Sequence, residues 1–163
     1  MPPAPHVDLL HADASLIVVD KPPGLLAVQG RGEAGRDNLA ARVQALFADA
    51  LVVHRIDMAT SGLMLFARGA AMQRQLSMAF ARGEVAKQYV AVVYGEVQGE
   101  AGTIAAALAA DWPNRPRQVV DPVHGKPSLT RWRVLSRGDG QTRLGLEPLT
   151  GRTHQLRVHL QWL

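Results

Sequence analysis

Apolar and polar positions in this chain repeat with two different periods, and the places where the period changes mark out its elements. Leu16 to Val19 is a short β-branched run that reads as a strand, and Lys21-Pro22-Pro23-Gly24 must turn after it. Leu25 to Val28 reads as extended, and residues 31–36 as a glycine-rich loop. A helix is expected from about Asp37, its N-cap, with Leu39, Val43, Leu46 and Phe47 on one apolar stripe. Apolar runs at Leu51–Val53 and Leu63–Ala67 predict two strands with a tight loop between them. A second helix is predicted from about Ala70 to Arg82, with Met72, Leu76, Ala79 and Phe80 inward and Gly83 as its stop.

The second half repeats the mixture. Lys87 to Tyr94 is β-branched and aromatic, a strand with Tyr89, Ala91 and Val93 on one face. Ile104–Leu108, Leu129–Leu135 and Thr142–Leu146 are further strand candidates, and Trp112–Pro127 is a long Pro-rich irregular segment. Gly151 is expected to open a last helix in which Thr153, Leu156 and Leu160 share a face. Strands and helices mix without a regular βαβ rhythm, so the fold class is α+β. At 163 residues the chain is one compact domain or two small lobes, with 1–15 read as a tail and 16–163 as the folded part.

Composition narrows the class. There is no cysteine, which fits a cytosolic enzyme and removes disulfides and thiolate chemistry. No run of eighteen apolar residues crosses a membrane, and Met1-Pro2-Pro3-Ala4-Pro5 lacks the pattern of a signal peptide, so the expected location is the cytoplasm. Lys and Arg number 18 against 14 Asp and Glu. The excess is concentrated between Asp111 and Arg137, where Arg115, Arg117, Lys126, Arg131, Arg133 and Arg137 face only two carboxylates. Trp112 and Trp132 sit among them. Two readings are open: a phosphate-gripping, base-stacking surface, or a solvated basic face with two core tryptophans.

Four constellations bear on chemistry. His54-Arg55-Ile56-Asp57-Met58-Ala59-Thr60-Ser61-Gly62 places a lone carboxylate on a loop held by scaffold on both sides. Gly30-Arg31-Gly32-Glu33-Ala34-Gly35 has the form of a dinucleotide fingerprint, but its strand is short and Pro22-Pro23 crowds the approach. His154 and His159 are five apart, do not share a helix face and have no neighbouring carboxylate, so no metal site is expected; Ser61 and Ser77 lack a hydrolase context. Gly151-Arg152-Thr153-His154-Gln155-Leu156-Arg157-Val158-His159 gathers two arginines and two histidines at a helix start, an anion-seeking surface.

Taken in order, the His54–Asp57 loop with Thr60-Ser61-Gly62, then Lys87-Gln88-Tyr89-Val90-Ala91, then Gly151–Arg157 resemble the three motifs of the RluA-type pseudouridine synthases. Val19–Leu26 resembles that family's opening segment. Asp111-Trp112-Pro113-Asn114-Arg115-Pro116 with Gly125-Lys126-Pro127 resembles its dual-specificity branch, which modifies large-subunit ribosomal RNA and a tRNA anticodon stem-loop. The family's chains continue past the last motif, so this one is expected to be incomplete at its C-terminus.

The resemblance implies a mixed, largely antiparallel sheet flanked by helices, and an isomerase needing no cofactor because its product is an isomer of its substrate. It implies Asp57 as the covalent catalyst, Tyr89 stacking on the flipped uracil and moving a proton, and Arg157 as the cation paired with the carboxylate, with Arg152 second. Arg55 fills the space the uridine leaves, Ile56 and Leu156 wall the pocket, and His154 joins the substrate site. Arg115 and Arg117 hold the RNA backbone. The partner implied is RNA, with no DNA or membrane, and the chain a monomer. The readings left beside it are an inactive RNA-binding module and, on Gly30–Gly35, a dinucleotide enzyme.

Overall fold

The computed structural model describes residues 6–163. The chain divides into two compact units, Met1–Glu84 and Val85–Leu163.

The first unit is a four-stranded antiparallel sheet in the order β1-β2-β4-β3: β1 (Asp8–Ala12), β2 (Leu16–Lys21), β3 (Ala50–Val52) and β4 (Gly62–Arg68). β1 falls within the stretch read as a tail, where it pairs with β2. Alternation decides which face is buried. Ile17 and Val19 on β2 lie opposite Phe66 and Met64 on β4, and all four are fully buried. Lys21 is next in that alternation and points the same way.

Helix α1 (Leu39–Leu46) follows a single 3-10 turn at Glu33–Gly35. Its cap is Asn38, whose Oδ1 accepts the Ala41 N–H at 3.0 Å, and not Asp37, which instead forms a two-pronged ion pair with Arg42. Leu39 and Val43 are buried as expected, but Leu46 in the last turn is exposed. Residues 25–28 form no strand, only a bridge from Leu26 to Asn38. Helix α2 (Gly69–Arg82) packs on β3 and β4. It ends as the sequence predicts: Gly83 adopts φ 73° and its N–H reaches the Ala79 and Phe80 carbonyls.

The second unit holds a four-stranded antiparallel sheet in the order β5-β10-β9-β6: β5 (Tyr89–Tyr94), β6 (Ala101–Ala105), β9 (Leu129–Gly138) and β10 (Gln141–Pro148). Between β6 and β9 lies a short hairpin, β7 (Leu108–Ala110) with β8 (Gln118–Val120), whose tip and second strand fall in the segment expected to be irregular. The single strand expected at Ile104–Leu108 is therefore two. Ile104, Trp132, Leu144 and Leu146 form the inner face, with Tyr89, Ala91 and Val93 of β5 packed against them. Gly102 lies opposite Trp132, and a Cβ there would come within 2.8 Å of the indole, so the ring lies on bare backbone. Helix α3 (Gln155–Trp162) starts four residues later than expected, and Thr153 is exposed ahead of it. Leu156 and Leu160 do join the core.

Candidate active site

Asp57 lies between β3 and β4 on a loop whose geometry is set by three hydrogen-bonded anchors. The first is His54. β3 stops at Val52, and beyond it the imidazole takes the place of a strand: its Nε2 accepts the Leu65 N–H of β4 at 3.0 Å. The accepting nitrogen carries no proton, so the ring is the Nδ1–H tautomer. Its face stacks on Phe80 of α2 at 4.4 Å between centroids. His54 thus ties the loop's start to both sheet and helix.

The second anchor is Lys21. Its side chain is fully buried, and Nζ donates to the Pro22, Leu25 and Met58 carbonyls at 2.8, 2.7 and 3.0 Å. All three ammonium protons are used, and one goes to the residue after Asp57. Burial lowers the Lys21 pKa, while the negative charge of Asp57 opposes that shift. The third anchor is the Pro22–Gly24 turn, where the Gly24 N–H donates to the same Met58 carbonyl at 2.8 Å. Within the loop, Thr60 N–H closes a turn on the Asp57 carbonyl. Ile56 is buried, Asp57 half-buried and Arg55 exposed, so the loop points its apolar residue inward and presents its charges.

Gly30 and Gly35 have a simpler explanation than a nucleotide. Gly30 N–H donates to the Gly35 carbonyl, and a Cβ on Gly35 would lie 2.5 Å from the Gly30 backbone. The close approach that needs glycine is between the two glycines themselves.

In the second unit, Tyr89 opens β5 on the inner face, half-buried against the cluster that also takes Leu156. Lys87, two residues earlier, is half-buried and its pKa is lowered by burial. Arg152, His154, Leu156 and Arg157 lie together at the start of α3. His154 holds the left-handed conformation at φ 53° and caps the helix, Arg152 donates to the Pro127 carbonyl at 3.2 Å, and Arg157 is exposed.

What fixes α3 is a chain of buried hydrogen bonds. Ser128 Oγ–H donates to the Ala106 carbonyl, and Ser128 Oγ accepts from His159 Nε2 at 2.9 Å. His159 Nδ1 then accepts the Thr130 hydroxyl proton at 2.8 Å, and Thr130 accepts from Gln155 Nε2 at 3.0 Å. Gln155 Oε1 finally takes the Thr150 hydroxyl and the Arg152 N–H. Ser128 spends its proton on Ala106, so Nε2 carries the His159 proton, and in the neutral ring Nδ1 is the acceptor. Burial pushes the His159 pKa below the ordinary imidazole range, and the Ala106 carbonyl pulls it partway back.

The basic stretch from Asp111 to Arg137 is not one surface. Arg115 and Arg117 lie at the tip of the β7–β8 hairpin, where Arg115 stacks over the exposed ring of Trp112 and Arg117 is 4.0 Å from Asp111. Arg137 is held by the Glu100 carboxylate and the Val97 and Gly99 carbonyls. Arg131 and Arg133 point out from β9. The two tryptophans divide between the two readings: Trp112 is 70% exposed beside its arginine, and Trp132 is core at 8%.

The family model described as RNA pseudouridylate synthase matches residues 15–162. The chain is 46% identical over 153 residues to the dual-specificity RNA pseudouridine synthase RluA of Yersinia pestis, covering 93% of this chain and 74% of that one. To its Escherichia coli counterpart it is 43% identical over 160 residues, 98% and 73% of the two chains. Among solved structures, human RNA pseudouridylate synthase domain containing 1 superposes with a TM-score of 0.79 at 28% identity, over 99% of this chain and 68% of that one. A shared fold, the ordered motifs and sequence identity at this level define an isomerase that acts on RNA. The chain belongs to the RluA-type RNA pseudouridine synthase family.

Three positioning roles are not evident from the motifs that contain them: those of Lys21, of the His54 ring and of the Gln155–Thr130–His159–Ser128 chain. The signal for Lys21 was present, since Ile17, Val19 and Lys21 share one face of a strand.

Proposed function

We infer that this chain converts specific uridines to pseudouridine in large-subunit ribosomal RNA, in a tRNA anticodon stem-loop, or in both, with Asp57 as the covalent catalyst. The observation that carries this reading is the Asp57 loop, clamped on one side by His54 and on the other by Lys21. A loop held that firmly keeps its carboxylate placed without help from substrate.

The uridine leaves its stack at a cost of a few kcal/mol, with Arg55 filling the gap. Tyr89 stacks on the uracil and moves a proton, and Arg157 is the cationic partner of Asp57, with Arg152 second. Ile56 and Leu156 exclude the water that would hydrolyse an intermediate, and His154 borders the substrate. The bond from C1′ to N1 breaks and one from C1′ to C5 forms; the C5 proton leaves and N1 gains one. The balance is neutral, so no cofactor or energy source enters. Arg115 and Arg117, on the hairpin tip beside Trp112, grip the RNA backbone. The enzyme works as a cytoplasmic monomer.

The experiment is to supply ribosomal and tRNA transcripts tritiated at uridine C5 and to follow tritium release from each. Release from both supports dual specificity and release from one narrows the substrate. Release from neither, with RNA bound, favours the reading as an RNA-binding module.

A further inference from the structure

Among the described residues, no helix of the second unit covers the outer face of its four-stranded sheet, and the side chains there are not those of an idle surface. Register places them in rows. Val90 on β5, Gly145 on β10 and Arg133 on β9 are direct cross-strand neighbours. Val92 lies beside Arg143 in the next row, and Glu147 beside Arg131 in the row before. Val90 and Val92 are each 55% exposed, and Tyr94 at the end of β5 is 91% exposed. Gly145 leaves a dent: a Cβ there would meet the Arg133 side chain and Leu135 at 3.4 Å. The result is a cleft of about 370 Å³ bordered by Val90, Arg131, Arg133, Leu135 and Glu147 and reaching Gln88 and Tyr89 where β5 begins.

Its net charge is positive. Arg131 pairs with Glu147 at 3.5 Å, while Arg133 and Arg143 have no ion-pair partner among the described residues. Arg133 and Arg143 are thus two guanidiniums beside apolar area and an exposed aromatic ring, the combination that binds phosphate and unstacked bases. A second copy of this face would bring the same uncompensated charges together, so the charge favours an anion over self-association.

We propose that the outer face of this sheet, centred on Arg133, Arg143 and Tyr94, is an auxiliary RNA-docking surface that binds RNA outside the stem-loop carrying the modified uridine. It rests on the reading of this chain as an enzyme acting on RNA. Arg131 and Arg133 belong to the basic stretch visible in the sequence, but Arg143 and Tyr94 do not; only the register of β5, β10 and β9 brings them together.

The test is an Arg133→Ala/Arg143→Ala double variant, with affinity measured against salt for a full-length tRNA transcript and for its isolated anticodon stem-loop. A thermal melt checks that the variant folds. Removing two phosphate contacts lowers the salt slope for the full transcript by about 1.4–1.8. Between 200 and 50 mM salt, the wild-type advantage on the full transcript then grows about tenfold. The stem-loop, too short to extend beyond the uridine site, is bound equally by both proteins. Equal affinity and slope on the full transcript overturn the proposal. So does a wild-type dimer that the double variant dissolves with RNA binding unchanged, which makes the face a contact between copies. Should wild-type protein bind neither RNA, the functional reading itself has failed, a result distinct from either.

Discussion

His159 Nδ1 lies 2.8 Å from the Thr130 hydroxyl, within the buried chain of hydrogen bonds that joins α3 to β9. In the neutral ring Nδ1 is an acceptor, so the Thr130 hydroxyl, which also accepts from Gln155, gives its own proton to His159. A protonated ring carries a second N–H at Nδ1, which turns that bond around and places a charge in a buried site.

The pH dependence follows from the direction of the shift. The folded His159 pKa is lowered from 6.5, so below that value the unfolded chain binds more protons. The contribution is fully present above pH 6.5 and declines as pH falls toward the folded pKa. The melting temperature of wild-type protein should drop between pH 7.5 and 5.5, and His159→Gln should flatten that drop. An equal drop in both proteins removes His159 from the account.

His54→Phe keeps a ring on Phe80 but leaves the Leu65 N–H without its acceptor, at about 1–3 kcal/mol. Thermal melts should show a fall of several degrees and tritium-release assays a slower turnover. His54→Gln, which restores an acceptor, should recover part of both. A fully stable, fully active His54→Phe protein means that the stacking alone holds the loop.

Lys21→Met strips the ammonium from three carbonyls, each charge-assisted bond being worth about 1.5–3 kcal/mol. Met58 loses one of its two donors, so the catalytic loop loosens where it leaves Asp57. RNA affinity should survive while the rate at saturating RNA falls. Lys21→Arg should not rescue it, because a planar fork does not aim three donors at these oxygens. Affinity lost in step with rate would instead mean that the unit has unfolded.

Arg115→Ala and Arg117→Ala test the hairpin tip. Each should weaken RNA binding and lower its salt slope by about 1, with little change in rate at saturation. Unchanged affinity in both variants would place the RNA elsewhere.

Much of this was legible in the sequence, for reasons that separate it from what was not. β2, β4, β5, β10 and α2 are long, strongly patterned segments, and Gly83 stops α2 through a backbone angle that glycine adopts freely. The motifs around Asp57, Tyr89 and Arg157 were visible because they are local. Lys21 was missed because it resembles the start of a turn, although its strand alternation points it inward. The sequence places His159 in an anion-seeking surface, but the ring is fully buried, and its partner and that of Gln155 lie on β9 more than twenty residues away, a distance pattern reading does not see across. The start of α3 was misplaced because Gln155 spends its side chain on the Arg152 N–H, holding 151–153 in a loop. The Asp111–Arg137 charge run is continuous in sequence, but a hairpin and a strand face send its arginines to different places.

The central claim is that Asp57 carries out the chemistry, and tritium release from C5-labelled uridine RNA tests it most directly. The account predicts release by this chain and none by Asp57→Asn, with the variant still binding the RNA. Release by Asp57→Asn at the wild-type rate would contradict it.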